Sequence, residues 1–187
     1  TVNDILTKHT LTKLRPLYYA IVADYYQSVS AYDIALSYYE KSLDGAKVEN
    51  QRILVSDNLY AIGILYRNLG YYSKAIDYFE RAIEFDSQID INYSEFLATY
   101  GIATTYYRLG NLQKALTLSD IVLAHPLSSS FYNSEIYRLK AEAHLSLGEL
   151  DKATNALNKA RVLYDENREA EQTTWRAQLD KTEAYIT

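Results

Sequence analysis

One figure recurs along this chain and restricts its fold more than any other property. It is anchored on Ala35, Ala75, Ala115 and Ala153, at separations of 40, 40 and 38 residues. The second copy reads Leu59-x-x-Ile62-Gly63-x-x-Tyr66, then Leu69-Gly70-x-Tyr72-x-x-Ala75-x-x-x-Phe79-x-x-Ala82. The first reads Tyr19-x-x-Val22-Ala23-x-x-Tyr26, then Tyr32-x-x-Ala35-x-x-x-Tyr39-x-x-Ser42. The third keeps Ile102-Ala103-x-x-Tyr106 and Leu109-Gly110-x-Leu112-x-x-Ala115, then loosens to Ser119 and Val122. The fourth keeps Tyr137, Ala141, Leu147-Gly148-x-Leu150-x-x-Ala153, Leu157 and Ala160, with Lys140 and His144 in place of an apolar residue and a tyrosine. A unit this short cannot bury its own apolar face, so such copies are stable only when stacked on one another.

These residues resemble the tetratricopeptide repeat, whose pattern is W-x2-L-G-x2-Y, then A-x3-F, then P. The likeness runs over residues 16–163. Two departures stand out: the period exceeds the usual 34 residues of the family, and the closing proline is missing from every copy. The resemblance implies an all-α fold, a right-handed α-solenoid of four helical hairpins, each a helix A followed by a helix B. The extra length is expected to extend the second helix of one repeat and the first of the next, as in long-period bacterial members.

In such hairpins, helices approach closely only where side chains are small. Gly63, Ala23, Ala103 and Ala141 are expected on helix A where helix B of the same hairpin crosses it, facing Ala75, Ala35, Ala115 and Ala153. Gly70, Gly110 and Gly148 follow a leucine at the end of helix A, where a left-handed residue stops the helix. Tyr66, Tyr106 and Phe79 are expected to fill the space between hairpins. The 20 tyrosines include the doublets Tyr18-Tyr19, Tyr25-Tyr26, Tyr38-Tyr39, Tyr71-Tyr72 and Tyr106-Tyr107. Adjacent helical residues point about 100° apart, so one ring of a doublet can enter the core while the other stays at its edge.

The whole chain reads as a single domain with two flanks around the repeats. Residues 1–15 are amphipathic through Val2, Ile5, Leu6, His9 and Leu14, and Pro16 suits the first turn of the next helix. This flank is expected to be an N-terminal cap or helix B of an earlier repeat. Residues 167–187 place Trp175, Leu179, Thr182 and Ile186 at helical spacing, as a capping or connecting helix would. His125-Pro126-Leu127-Ser128-Ser129-Ser130 reads as a loop. Thr1 and the absence of Met suggest a piece cut from a longer protein.

Composition excludes several classes of function. A net charge of -5 with mixed signs gives no clustered cations for phosphate binding, so no nucleic-acid partner is expected. No run approaches the ~20 apolar residues of a membrane span. The absence of Cys removes thiolate chemistry and zinc-thiolate sites. His9, His125 and His144 match no metal-ligand spacing, and no cofactor is implied. With no nucleophile elbow and no phosphate-cradling glycine loop, an enzyme is not expected.

The resemblance implies instead an interaction module. In the family, the inner surface of the solenoid is lined by helix A at repeat positions two, five, nine, twelve and thirteen. The expected partner-binding residues are Tyr60, Ile64, Arg67 and Asn68 in the second copy, Tyr100, Thr104, Tyr107 and Arg108 in the third, and Arg138 and Glu142 in the fourth. Tyrosine and arginine dominate interface hot spots because they offer large area and forked hydrogen bonding at low entropic cost. Arg67, Arg108 and Arg138 have an alternative use, solvated or paired with Asp57, Glu135 and Glu142. The clamp that holds chaperone carboxylate tails is set aside, since Ala20, Asp24, Leu97 and Gly101 occupy its positions. A protein or peptide in the concave groove is the expected partner, in the regulatory or sensory part of a bacterial signalling protein. A self-associating scaffold or homodimer, and a small-molecule sensor with an aromatic pocket between repeats, are the alternatives. The compartment, cytoplasmic or extracytoplasmic, stays open.

Overall fold

A computed structural model describes residues 2–86 and 93–166, with side chains over 11–85 and 95–164. The expected C-terminal helix through Trp175, Leu179, Thr182 and Ile186 lies outside the described residues. Eight α-helices occur among the described residues: α1 Val2–Ser28, α2 Tyr32–Val48, α3 Arg52–Asn68, α4 Tyr72–Asp86, α5 Tyr93–Arg108, α6 Leu112–Ala124, α7 Ser130–Ser146 and α8 Leu150–Glu166. They are paired as helical hairpins, α1 with α2, α3 with α4 and α7 with α8. The contacts divide the chain into two compact units, Thr1–Gly101 and Ile102–Thr187, with the division falling inside α5.

The repeated motif is explained by how each helix A stops. Gly70, Gly110 and Gly148 take φ of 82°, 81° and 75°, and Ser30 does the same work in the first copy at 59°. In every copy the next N–H turns back to a carbonyl five residues earlier: Ala31 to Tyr26, Tyr71 to Tyr66, Asn111 to Tyr106 and Glu149 to His144, all at 2.8–2.9 Å. This is the Schellman closure, which satisfies carbonyls that would otherwise end the helix without partners. A side chain at Gly70 would meet nothing within 4 Å. The backbone angle, and not space, therefore calls for glycine there. Asn50 closes α2 the same way, at φ 54°, which the repeat pattern did not announce.

The small residues mark close approaches, as expected. Ala23, Ala35, Ala75, Ala103, Ala115, Ala141 and Ala153 are all fully buried. In the first unit Phe79 is the central knob, itself fully buried. A Cβ at Gly63 would lie 2.7 Å from its ring, and one at Gly101 would also lie 2.7 Å away. Phe79 of α4 is thus seated between α3 and α5 on two glycines, only the first of which the crossing argument anticipated. In the second unit Ala141, Ala156, Leu157 and Ala160 form a cluster joined by Tyr137 and Tyr164, and Ser134 Oγ donates to the Ala160 carbonyl at 3.1 Å.

Two expectations need correction. Tyr66 and Tyr106 do not fill the space between hairpins. Tyr66 stacks on Tyr78 of its own hairpin at 5.3 Å, with Lys74 Nζ 5.1 Å from the ring centroid. Tyr106 is capped by Lys114 of the following helix, which donates to its hydroxyl at 2.6 Å and lies 4.1 Å from its ring centroid. A ring carrying a hydroxyl gains more at a hairpin edge, where water and ammonium groups reach it, than in a dry seam. Of the doublets, only Tyr38-Tyr39 sends one ring into the core, Tyr39 at 3% exposed beside a half-buried Tyr38, and Tyr26 and Tyr38 stack at 5.7 Å.

Pro16 likewise does not begin a new helix. It lies within α1, so residues 2–15 continue into the first helix A without a break. Proline inside a helix loses one hydrogen bond and crowds the preceding turn. Tertiary contacts hold it here: Pro16 Cγ sits 2.9 Å from where a Cβ of Gly45 would be. The Pro16 carbonyl accepts from Ser42 Oγ at 2.7 Å, and Ser42 Oγ in turn accepts from Asn58 Nδ2 at 2.8 Å. This buried relay ties α1, α2 and α3 together.

Candidate functional site

Helix-A residues of the first unit supply half of the expected contact set. Tyr60, Ile64, Arg67 and Asn68 follow one another along α3 at helical spacing and are all half-buried. The Tyr60 ring lies 5.6 Å from that of Phe79, tilted by 47°, so the core fixes its orientation. Tyr100, on α5 beside the glycine that receives Phe79, is also half-buried. A tyrosine held this way has lost its rotamer freedom before any partner arrives.

The second unit brings three of the expected residues into one network. Arg138 donates through Nη1 to Glu142 Oε1 at 2.7 Å and through Nη2 to Glu135 Oε2 at 3.0 Å. Tyr107 of α5 donates its phenol proton to Glu142. Burial first, then the Glu142 charge and this hydrogen bond, push the Tyr107 pKa up to about 12, with Arg138 opposing. Burial alone would lower the Arg138 pKa, but the carboxylates of Glu135 and Glu142 outweigh it and hold the guanidinium charged. Glu135 Oε1 and Arg138 Nε are buried and hydrogen-bond to no described residue. Thr104 is half-buried on α5, and Arg108 is exposed at the end of that helix.

The ion-pair use of Arg138 is therefore realised, and Glu135 belongs with the expected residues. The signal was present in the sequence: positions 135, 138 and 142 share one helix face, which allows i,i+3 and i,i+4 pairing. The departures in the fourth copy also have partners. Lys140 pairs with Asp120 of α6, and His144 Nδ1 lies 2.6 Å from Glu149 Oε2. At the clamp positions Ala20 and Leu97 are each 8% exposed, and the Gly101 position is occupied by the Phe79 ring.

Among the described residues, no group of three or more His, Asp or Glu side chains is placed to hold a metal ion. No described helix is long and apolar enough to cross a membrane.

A scan against protein families matches residues 16–88 to the tetratricopeptide repeat. That stretch, somewhat under half of the chain, carries tetratricopeptide repeats. No curated protein matches its sequence. Among solved structures, MamA from Desulfovibrio magneticus RS-1 is similar, with a TM-score of 0.60 at 19% identity, over 91% of this chain and 94% of that one. So are nearly identical TPR-like repeats of a Podosopora anserina protein described as a kinesin light chain, with a TM-score of 0.61 at 16% identity, over 83% of this chain and 78% of that one. Identities this low speak for the fold alone. Tetratricopeptide repeats generally serve as protein-protein interaction modules.

Proposed function

We propose that this tetratricopeptide domain captures a protein or peptide partner through its helix-A residues, in the regulatory or sensory part of a larger bacterial signalling protein. The contact residues are Tyr60, Ile64, Arg67, Asn68 and Tyr100 in the first unit, and Thr104, Tyr107, Arg108, Arg138 and Glu142 in the second. The observation that carries the reading is the network around Arg138. It keeps two buried polar atoms, Glu135 Oε1 and Arg138 Nε, without a hydrogen bond to any described residue, an arrangement that costs stability unless something else uses it. A lysine, arginine or backbone N–H of a bound segment would supply the missing donor to Glu135 Oε1. The pre-oriented tyrosines would supply apolar area. Binding, and not catalysis, is the reading this supports, since both carboxylates are held in ion pairs with Arg138 and neither is poised for proton transfer.

Selection from a displayed peptide library tests it. Enriched peptides should bind the wild-type chain and lose at least ~10-fold in affinity, about 1.4 kcal/mol, to the Arg67→Glu, Tyr100→Ala double variant, with helicity and melting temperature nearly unchanged. Equal binding by that variant, or no enrichment at all, would defeat the proposal.

A further inference from the structure

The first helix carries an exposed apolar stripe built like a helix-pairing seam. Leu11, Leu14, Tyr18, Ile21 and Tyr25 are spaced three, four, three and four residues apart. That is the heptad alternation of a coiled-coil seam, and it puts all five on an arc of about 80°. Their exposures are 60, 52, 60, 59 and 62%. The opposite face of α1, through Pro16, Ala20 and Ala23, is buried, as the pairing of α1 with α2 requires.

The same register in the other repeats is covered. Shifting by the repeat period takes Tyr18 and Tyr25 to Asn58 and Leu65, which are 1% and 0% exposed. Asn58 faces α2 through its bond to Ser42. A second shift takes Tyr18 and Ile21 to Ala98, fully buried, and to Gly101, against which the Phe79 ring of α4 is seated. This register is therefore the face that receives the preceding helix B, and in α5 its residues there, Ala98 and Gly101, are small. In α1 the corresponding residues are a tyrosine and an isoleucine, too large to seat a Phe79-type knob from a hairpin of the same build. A partner that offers a matching three-four stripe fits them instead, and a second copy of α1 is such a partner.

We infer that the chain self-associates in pairs, α1 against α1, through Leu11, Leu14, Tyr18, Ile21 and Tyr25. A two-fold contact is self-complementary, so one stripe serves both sides. Half-exposed side chains of this size leave on the order of 500 Å² of apolar surface per copy, in the range of the largest patch on a typical monomer, which is often an interaction site. That is below the area of an obligate dimer and suits a weak one.

Sedimentation equilibrium of the 187-residue chain should show the mass rising from that of the monomer toward twice that value, with a dissociation constant on the order of 10 μM. Ile21→Glu should weaken association at least ~10-fold without loss of helicity. Because the chain has no cysteine, Ile21→Cys supplies a single thiol. It should form an inter-chain disulfide under mild oxidation, whereas Asp44→Cys on α2 should not. A monomeric mass at every concentration, a dimer that survives Ile21→Glu, or equal cross-linking from both cysteine variants would overturn the inference.

Discussion

At the scale of single residues, the most exacting contact is that of Phe79 with two glycines. Adding a methyl group at Gly63 or Gly101 places it 2.7 Å from the ring, and overpacking of this kind costs ~1–3 kcal/mol. Alanine also favours helix over glycine by up to about 1 kcal/mol. Gly63→Ala should therefore lose a net ~1–2 kcal/mol, read as a lowered urea midpoint, and Phe79→Leu in the same chain should recover part of the loss. A Gly63→Ala protein as stable as wild type would show that the ring has room to move. The small residue at 63 was legible from the repeat pattern. Gly101 was not recognised as a packing residue, because its partner comes from another copy and only the three-dimensional arrangement brings them together. Tyr66 and Tyr106 were misjudged for a related reason: side-chain size alone does not tell a core knob from an edge ring held under a lysine.

At the scale of elements, the junction of α7 and α8 carries a pH-sensitive tie. Glu149 accepts from Lys152 at 2.9 Å and lies beside His144 at the end of α7. Those two hydrogen bonds, the Lys152 one first, lower the Glu149 pKa below its ordinary 4.5. A depressed carboxylate pKa means that the folded state holds the proton less tightly than the unfolded chain. Its contribution is thus complete above the ordinary value and is lost as the pH falls through the folded one. Between about pH 5 and pH 3 the wild-type melting temperature should fall more steeply than that of Glu149→Gln, as followed by circular dichroism. Parallel curves would mean that the tie has no energetic weight. The end of each helix A was readable from Leu-Gly in three copies. Ser30 and Asn50 were not, since their left-handed backbone is imposed by the closing hydrogen bonds on residues that do not demand it. Pro16 suits a helix start by its chemistry, and the seat offered by Gly45 and Ser42 is what lets α1 run through it.

At the scale of the whole molecule, stability is expected to be distributed by repeat, because neighbouring hairpins supply most of one another's burial. Phe79→Ala should remove about 3–5 kcal/mol from its surroundings. Hydrogen exchange should quicken in α3, α4 and the first half of α5 more than in α7 and α8. Uniform acceleration would instead show that the array opens as one piece. The sequence by itself determined the helical hairpins, their number among the four copies and the alanine crossings, because periodic small and apolar positions encode contacts at short, fixed separations. It also placed Arg138 and Glu142 among the residues worth watching. Tertiary structure alone decided that Phe79 reaches a second glycine, that Tyr107 meets Glu142 from another helix, and that α1 is left with a heptad stripe uncovered. Each of these depends on which surfaces meet once the helices have formed, and the spacing of residues along one helix does not carry that information.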